Sequence, residues 1–246
     1  MLEIQNLTLH ADGRSLIKDL SLVVPGDGIT ALIGPSGCGK TSVLKWMAGI
    51  LPDAFQTHGT ALLDGKPISL PHRGLCYQPQ SDALFPWLTI AENAAMGLEI
   101  AGLPRRIALA QVTALFAPFG LAGCEAQFPA QLSGGMRQRA AFLRTIVQDS
   151  RLVLLDEPFS ALDAVTRLRM QDWLLSRLSD RPRGVLLVTH DLHEATGIAD
   201  RILVMAANPG RIIAEIDVPG QPGARTEAIL ADLRETLKTL LLEQTP

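Results

Sequence analysis

Cysteine is scarce in this chain: Cys38, Cys76 and Cys124 are the only three among 246 residues. Three scattered thiols cannot build a disulfide framework or a zinc site, which points to a reduced, cytoplasmic setting. Aromatic residues make up only 4%, with a single tyrosine, Tyr77. Charge is sparse as well, at 19% of residues, and 22 basic against 25 acidic side chains leave a net charge of -3. That balance gives no global pull toward nucleic acid. Long apolar runs are missing too. The most apolar stretch, "AAMGLEIAGL" at residues 94–103, is short and carries Glu99, far from the ~18 apolar residues of a membrane span. The start "MLEIQNLTLH" lacks the basic and apolar regions of a signal peptide. Work at a membrane would therefore require docking onto a partner already there. There is no internal repeat and no low-complexity tract.

Against these absences, 47% of the residues are hydrophobic, and the length suffices for one large domain or two modest ones with a sizeable core. Three apolar runs, "ITALIG" (29–34), "LVLLDE" (152–157) and "GVLLVTH" (184–190), read as strands buried on both faces. Helix-like segments separate them, which predicts a parallel sheet with crossover helices. Chemistry in such sheets gathers at the carboxyl ends of the strands, where all three runs place polar residues. The first 24 residues alternate apolar and polar around Asp12-Gly13, as an antiparallel hairpin with one wet face would. From about Leu84 to Val147 the chain turns Ala- and Leu-rich and reads as a helical insert. Its last helix should align Met136, Ala140, Leu143 and Val147. From about Pro209 comes a Pro- and Gly-containing tail, then an amphipathic helix through "EAILADLRETLKTLLLE". The division expected is 1–83 and 148–215 for the core, 84–147 for the helical insert and 216–246 for a C-terminal helical tail.

"GPSGCGKT", comprising Gly34, Pro35, Ser36, Gly37, Cys38, Gly39, Lys40 and Thr41, with Ser42 following, fits G-x-x-x-x-G-K-[ST] between a predicted strand and a helical run. Glycines there let backbone amides wrap phosphate oxygens ahead of a helix N-terminus. Lys40 would reach the β- and γ-phosphates, and the Thr41 hydroxyl would hold Mg²⁺. At the end of the second strand, Asp156 would coordinate Mg²⁺ and Glu157 would polarise an attacking water. Adjacent acids at a strand end are common by themselves; paired with the phosphate loop they complete a nucleotide-hydrolysis site. His190 ends the third strand. A histidine there is more often structural than catalytic, yet its location faces the same crevice. A second anion cradle occurs in "LSGGMRQRAA", where Ser133, Gly134 and Gly135 open a basic helix. As a plain helix start Ser133 would serve as the cap, but that leaves unexplained two glycines that weaken a helix.

"GPSGCGKT", "LSGGMRQR", "LVLLDEPFSALD" and "VTHDLHEA" stand in the order and spacing of the ATP-binding cassette (ABC) ATPases, and nearly the whole chain resembles that family. The resemblance implies an α/β fold: a P-loop NTPase core with a mostly parallel sheet, an N-terminal antiparallel β subdomain and an α-helical insert. It implies ATP and Mg²⁺ as ligands. It identifies Gln80, in "YQPQSDALFPWLT", as a contact to Mg²⁺ and the attacking water on a loop that senses a transmembrane partner. It further implies a head-to-tail homodimer in which Ser133, Gly134 and Gly135 of one subunit close on the γ-phosphate held by the other, with Asp163 at the same seam. In one place the chain departs from the family pattern. Ala11, beside His10, stands where members usually carry an aromatic that stacks on adenine.

A single cassette, together with "LFPWLTIAEN" and "NPGRIIAEIDVP", is similar to the importer subfamily serving nitrate, sulfonates, taurine and thiamine precursors. The expectation is a peripheral ATPase at the cytoplasmic face of the membrane. It would couple hydrolysis to transmembrane permease subunits and, through them, to a substrate-binding protein. The alternative is an ABC ATPase driving a lipoprotein-release or cell-division machine. Phe85, Pro86 and Trp87 should border a groove for a permease helix, unless Phe85 and Trp87 are ordinary core.

Overall fold

The computed structural model describes residues 1–11 and 13–243. Asp12 of the expected Asp12-Gly13 turn and residues 244–246 of the expected tail lie outside the described residues.

The three apolar runs form the centre of a six-stranded sheet. Strands β3 (Ile29–Ile33), β7 (Leu152–Asp156) and β8 (Gly184–Val188) have every residue buried. β8 lies between β3 and β7, parallel to both. β6 (Leu75–Gln78) extends the parallel set beside β7. β9 (Arg201–Ala206) pairs parallel with β3, and β10 (Arg211–Asp217) closes that edge as an antiparallel strand. The stretch after Pro209, read as a Pro- and Gly-containing tail, thus opens with a strand. Its "RIIAEID" alternates apolar and polar with period two, which suits a half-exposed edge.

Successive strand residues point to opposite faces, and the sheet sorts them into two cores. Ile29, Ala31, Ile33, Val153, Leu155, Val185 and Leu187 pack on the side of the helical insert. Leu32, Leu152, Leu154, Leu186 and Val188 pack on the side of the N-terminal hairpin and α1 (Lys40–Met47). That hairpin is β1 (Leu2–Ala11) with β2 (Arg14–Val24), paired antiparallel and buried on alternate residues. β4 (Gln56–Leu63) and β5 (Lys66–Ile68) complete a second, antiparallel sheet in the order β2-β1-β4-β5.

The helical insert holds α2 (Ile90–Ile100), α3 (Arg105–Thr113) and α4 (Gly134–Ile146). α2 starts on a reciprocal cap: Thr89 N–H donates to Glu92 Oε2 at 2.8 Å, and Glu92 N–H donates to Thr89 Oγ1 at 3.3 Å. On α4, Ala140 and Leu143 are buried, while Met136 and Val147 pack partly buried against the same core. The few aromatics concentrate where this insert meets α5 (Ala164–Asp180). Phe119 meets Trp173 edge-on at 4.6 Å and Phe142 meets Phe159 at 5.3 Å; each such pair contributes about 0.5–1.5 kcal/mol beyond the area it buries. α6 (Leu192–Ile198) follows β8, and α7 (Glu227–Leu242) buries Leu230 and Leu237 against that side of the fold. No described helix is long and apolar enough to cross a membrane.

Candidate functional site

The carboxyl ends of β3, β7 and β8 converge on one crevice. Gly39 caps α1 at φ 105°, a left-handed conformation that glycine adopts without steric cost. This turns the first amides of α1 toward the loop in front of it. Gly34 answers a different demand: a Cβ there would lie 2.5 Å from the Met205 carbonyl oxygen of β9. Lys40 is buried, and its ammonium folds back over the loop, donating to the carbonyls of Gly34 (2.7 Å) and Pro35 (2.9 Å) and approaching Cys38 Sγ at 3.8 Å. A crevice of about 350 Å³ lies over this loop, lined by Ser36, Gly37, Gly39, Lys40, Thr41 and Ser42 on one side and by Gln80, Glu157 and His190 on the other.

Glu157 is the meeting point of the three residues expected to act on water. Gln80 Nε2 donates to one carboxylate oxygen at 3.0 Å, and His190 Nδ1 lies 3.1 Å from the other. The Glu157 backbone adopts φ 48°, uncommon for a side chain of this size and characteristic of functional turns. Its N–H donates to the Val188 carbonyl at 2.9 Å, and its carbonyl accepts from Ser160 Oγ at 3.0 Å. The strand-end turn is thus tied to β8, the strand that leads to His190.

Asp156 is almost fully buried. Thr41 Oγ1 donates to its Oδ1 at 3.1 Å, and the Tyr77 hydroxyl donates to its Oδ2 at 3.4 Å. Burial raises the Asp156 pKa, the Thr41 hydrogen bond opposes that rise, and the neighbouring Glu157 charge adds to it. Tyr77 has its own pKa raised by burial and by Asp156. It contributes to the acid's surroundings although sequence reasoning gave it no role. Only the pairing of β6 with β7 brings it there, setting Tyr77 opposite Leu154, two residues from Asp156.

Ser133, Gly134, Gly135 and Asp163 do not line this crevice. Ser133 caps α4, accepting from the Met136 N–H at 3.3 Å, and Asp163 caps α5, accepting from the Thr166 N–H at 3.0 Å. Neither glycine is demanded by its own surroundings. A Cβ on Gly135 would come no closer than 3.5 Å to the Ala161 carbonyl, and one on Gly134 would meet only Arg137 at 3.9 Å.

The basic run after these glycines has a function the sequence did not reveal. Arg137 Nε pairs with Asp82 at 2.8 Å, and Arg144 donates to the carbonyls of Ala83 (2.7 Å) and Asp82 (3.0 Å). α4 therefore grips the loop that follows Gln80. Asn93, fully buried on α2, grips the next turn. Its side chain accepts from the Phe85 N–H at 2.7 Å and donates to the carbonyls of Phe85, Leu88 and Thr89 at 3.0–3.1 Å. Trp87 stands 70% exposed on this pinned loop, with its ring 5.4 Å from Phe85. It is a surface side chain, not core. At the other end of the crevice Leu16 takes part in the lining, and Ala11 pairs across the hairpin with Arg14.

A glycine-rich loop ahead of a helix, facing a hydrogen-bonded carboxylate on a parallel sheet flanked by an antiparallel sheet and a helical insert, is the architecture of an ATP-binding ATPase subunit. The ABC transporter family matches residues 17–160, and the chain belongs to it. The taurine import ATP-binding protein TauB of Yersinia pestis bv. Antiqua (strain Antiqua) is 38% identical over 220 residues, 89% of this chain and 84% of that protein. TauB of Escherichia coli (strain K12) is 38% identical over 218 residues, 88% and 84% of the two chains. An uncharacterized ABC transporter ATP-binding protein of Methanocaldococcus jannaschii is 37% identical over 251 residues, 99% of this chain and 92% of that one. A solved ATP-binding subunit of an ABC transporter shares the fold with a TM-score of 0.80 at 23% identity, covering 98% of this chain and 99% of that one.

Proposed function

We propose that the chain is the peripheral, ATP-hydrolysing subunit of a bacterial import system, with residues 1–83 and 148–215 as nucleotide-binding core and 84–147 as the insert that meets a permease. The observation that carries this is the Glu157 carboxylate, held by Gln80 and His190 on the wall facing the phosphate loop. A carboxylate fixed by two neighbours orients and polarises water without reorganising during the reaction. The loop amides and Lys40 bind the phosphates of ATP; Lys40 has only to exchange two loop carbonyls for phosphate oxygens.

Thr41, Asp156 and Gln80 fit a divalent cation, because they are all oxygen donors of the kind Mg²⁺ takes, and Thr41 already touches Asp156. When bound, Mg²⁺ would neutralise charge on the phosphates. Ser133 and Gly134, which are exposed, and the partly exposed Gly135 support a dimer in which the three close on ATP held by a second copy. A helix start whose glycines would accept a Cβ without a clash, yet carry none, is suited to close approach by an anion. The Trp87 loop, with a cavity of about 310 Å³ beside it lined by Leu88, Met96 and Ile100 among others, supports docking of a permease helix. The substrate would be chosen by the permease and its binding protein.

Glu157→Gln tests the central claim. It keeps the side chain's shape and should cut steady-state hydrolysis by about 10²-fold or more while ATP still binds. Hydrolysis at the wild-type rate would remove Glu157 from the reaction.

A further inference from the structure

Behind Glu157 lies a second, smaller cavity of about 40 Å³, room for about one water. Its lining includes Glu157, Ser160 and His190 on the crevice side and Arg167, Asp191 and Glu194 behind them. Glu194 is 7% exposed, on the first turn of α6. Thr189 Oγ1 donates to its Oε2, while its Oε1 has no hydrogen-bond partner among the described residues.

These contacts frame His190 on both sides. Thr189 precedes it, and the Thr189 hydroxyl also accepts from the Asp191 N–H at 3.1 Å. Asp191 follows it, and Asp191 Oδ1 caps α6 by accepting from the N–H groups of His193 (2.8 Å) and Glu194 (3.2 Å). Asp191 Oδ2 takes the Arg167 guanidinium at 2.9 Å, which anchors the loop to α5. His190 itself is held by little else among the described residues: its side chain is 65% exposed, and its polar contact is with Glu157. The position of the imidazole is therefore inherited from its two neighbours.

We propose that Glu194 is a positioning residue for hydrolysis: through Thr189, and together with Asp191, it fixes the loop that presents His190 to Glu157. This rests on the assignment of Glu157 and His190 to turnover made above. Three observations favour it over a purely structural acid. A buried carboxyl in a helix is costly unless it is hydrogen-bonded, and the bond it makes goes to the residue beside His190. Its side chain lines the same cavity as Glu157. Burial pushes its carboxyl up to about 7, the Asp191 charge acts in the same direction, and Thr189, Arg167 and Gln171 oppose.

The test uses the full chain with ATP and Mg²⁺ and compares Glu194→Ala, Glu194→Gln, Thr189→Val and Glu157→Gln. Glu194→Ala and Thr189→Val are expected to lower kcat by about tenfold or more, since small misplacements of reacting groups are that costly. KM and the Kd for ATP should move by less than about twofold, because the phosphate cradle is untouched. Glu194→Gln keeps an acceptor for Thr189 and should restore most of kcat. Wild-type kcat in Glu194→Ala and Thr189→Val overturns the proposal, as does a Glu194→Gln chain no faster than Glu194→Ala. Should Glu194→Ala fail to fold, Thr189→Val, which keeps the side chain's size, decides alone. An inactive Glu157→Gln beside unimpaired Glu194 variants sinks this inference and leaves the proposed function standing. An active Glu157→Gln sinks the assignment of the site itself.

Discussion

Substituting Glu194 by glutamine should change how the stability of the protein depends on pH, and the structure sets both sign and size. Glu194 is buried between α5 and the start of α6, and its carboxyl rises from an ordinary 4.5 to about 7. In the unfolded chain it ionises near the ordinary value. Between those two values the folded state binds more protons than the unfolded state, so stability falls as pH rises. The stabilisation is fully present below about pH 4.5 and is lost as pH passes through 7. At ~1.4 kcal/mol for each tenfold change, the loss is about 3 kcal/mol. The amide introduced by Glu194→Gln would not titrate. Wild type and Glu194→Gln should therefore diverge by about 3 kcal/mol between pH 5 and pH 8, wild type losing ground at the higher pH. For a chain of this length that is about 6–12 °C in Tm. Thermal melts or urea midpoints of both chains without nucleotide, taken at four pH values over that range, read the difference directly. Parallel curves would refute the reasoning, because they would mean that the carboxyl ionises in the folded protein much as it does in the unfolded one.

What could be read in advance divides along a physical line. The phosphate loop, the acids after β7 and the three central strands are encoded in contiguous residues, and burial on both faces leaves an unmistakable apolar run. The division of the sheet into two cores follows from the same runs by alternation. By contrast β5 and β6 are too short to show a period, and β4, though eight residues long, is largely exposed, so its polar residues hide the strand. β10 was hidden behind Asn208 and Pro209, which look like the start of a tail. Contacts made at long sequence separation were the least legible. Arg137 reads as part of a basic helix start suited to phosphate, yet its partner is Asp82, more than fifty residues upstream; Arg144, in the last turn of the same helix, reaches Ala83 from the other end. Tyr77 meets Asp156 only because β6 lies beside β7. Trp87 was divisible between core and surface until the loop's hydrogen bonds to Asn93 showed which way the turn is held.

The remaining tests address the outer parts of the site. Trp87→Glu should leave the fold intact, because the ring is largely exposed, and should uncouple ATP hydrolysis from uptake in the assembled transporter; an unfolded variant would place the ring in the core after all. Ala11→Tyr should tighten ATP binding about fivefold or more, since stacking on a base contributes ~1–3 kcal/mol; an unchanged Kd in nucleotide titrations would mean that the base is held by another part of the chain, with Leu16 the nearest lining residue. The last test asks whether Gly135 serves a neighbour. Its surroundings have room for a side chain, so Gly135→Asp should fold, and its carboxylate should repel phosphates only if they approach from a second copy. Lys40→Ala removes a charge-assisted phosphate contact in its own loop. Each variant alone should fail to occlude ATP. In a head-to-tail dimer of the two, both lesions fall on one composite site and the other site is intact, so a mixture should occlude one nucleotide per mixed dimer. If the phosphate loop and the Gly134-Gly135 helix start instead served one ATP within the same chain, every chain in the mixture would carry a defect and no occlusion would return.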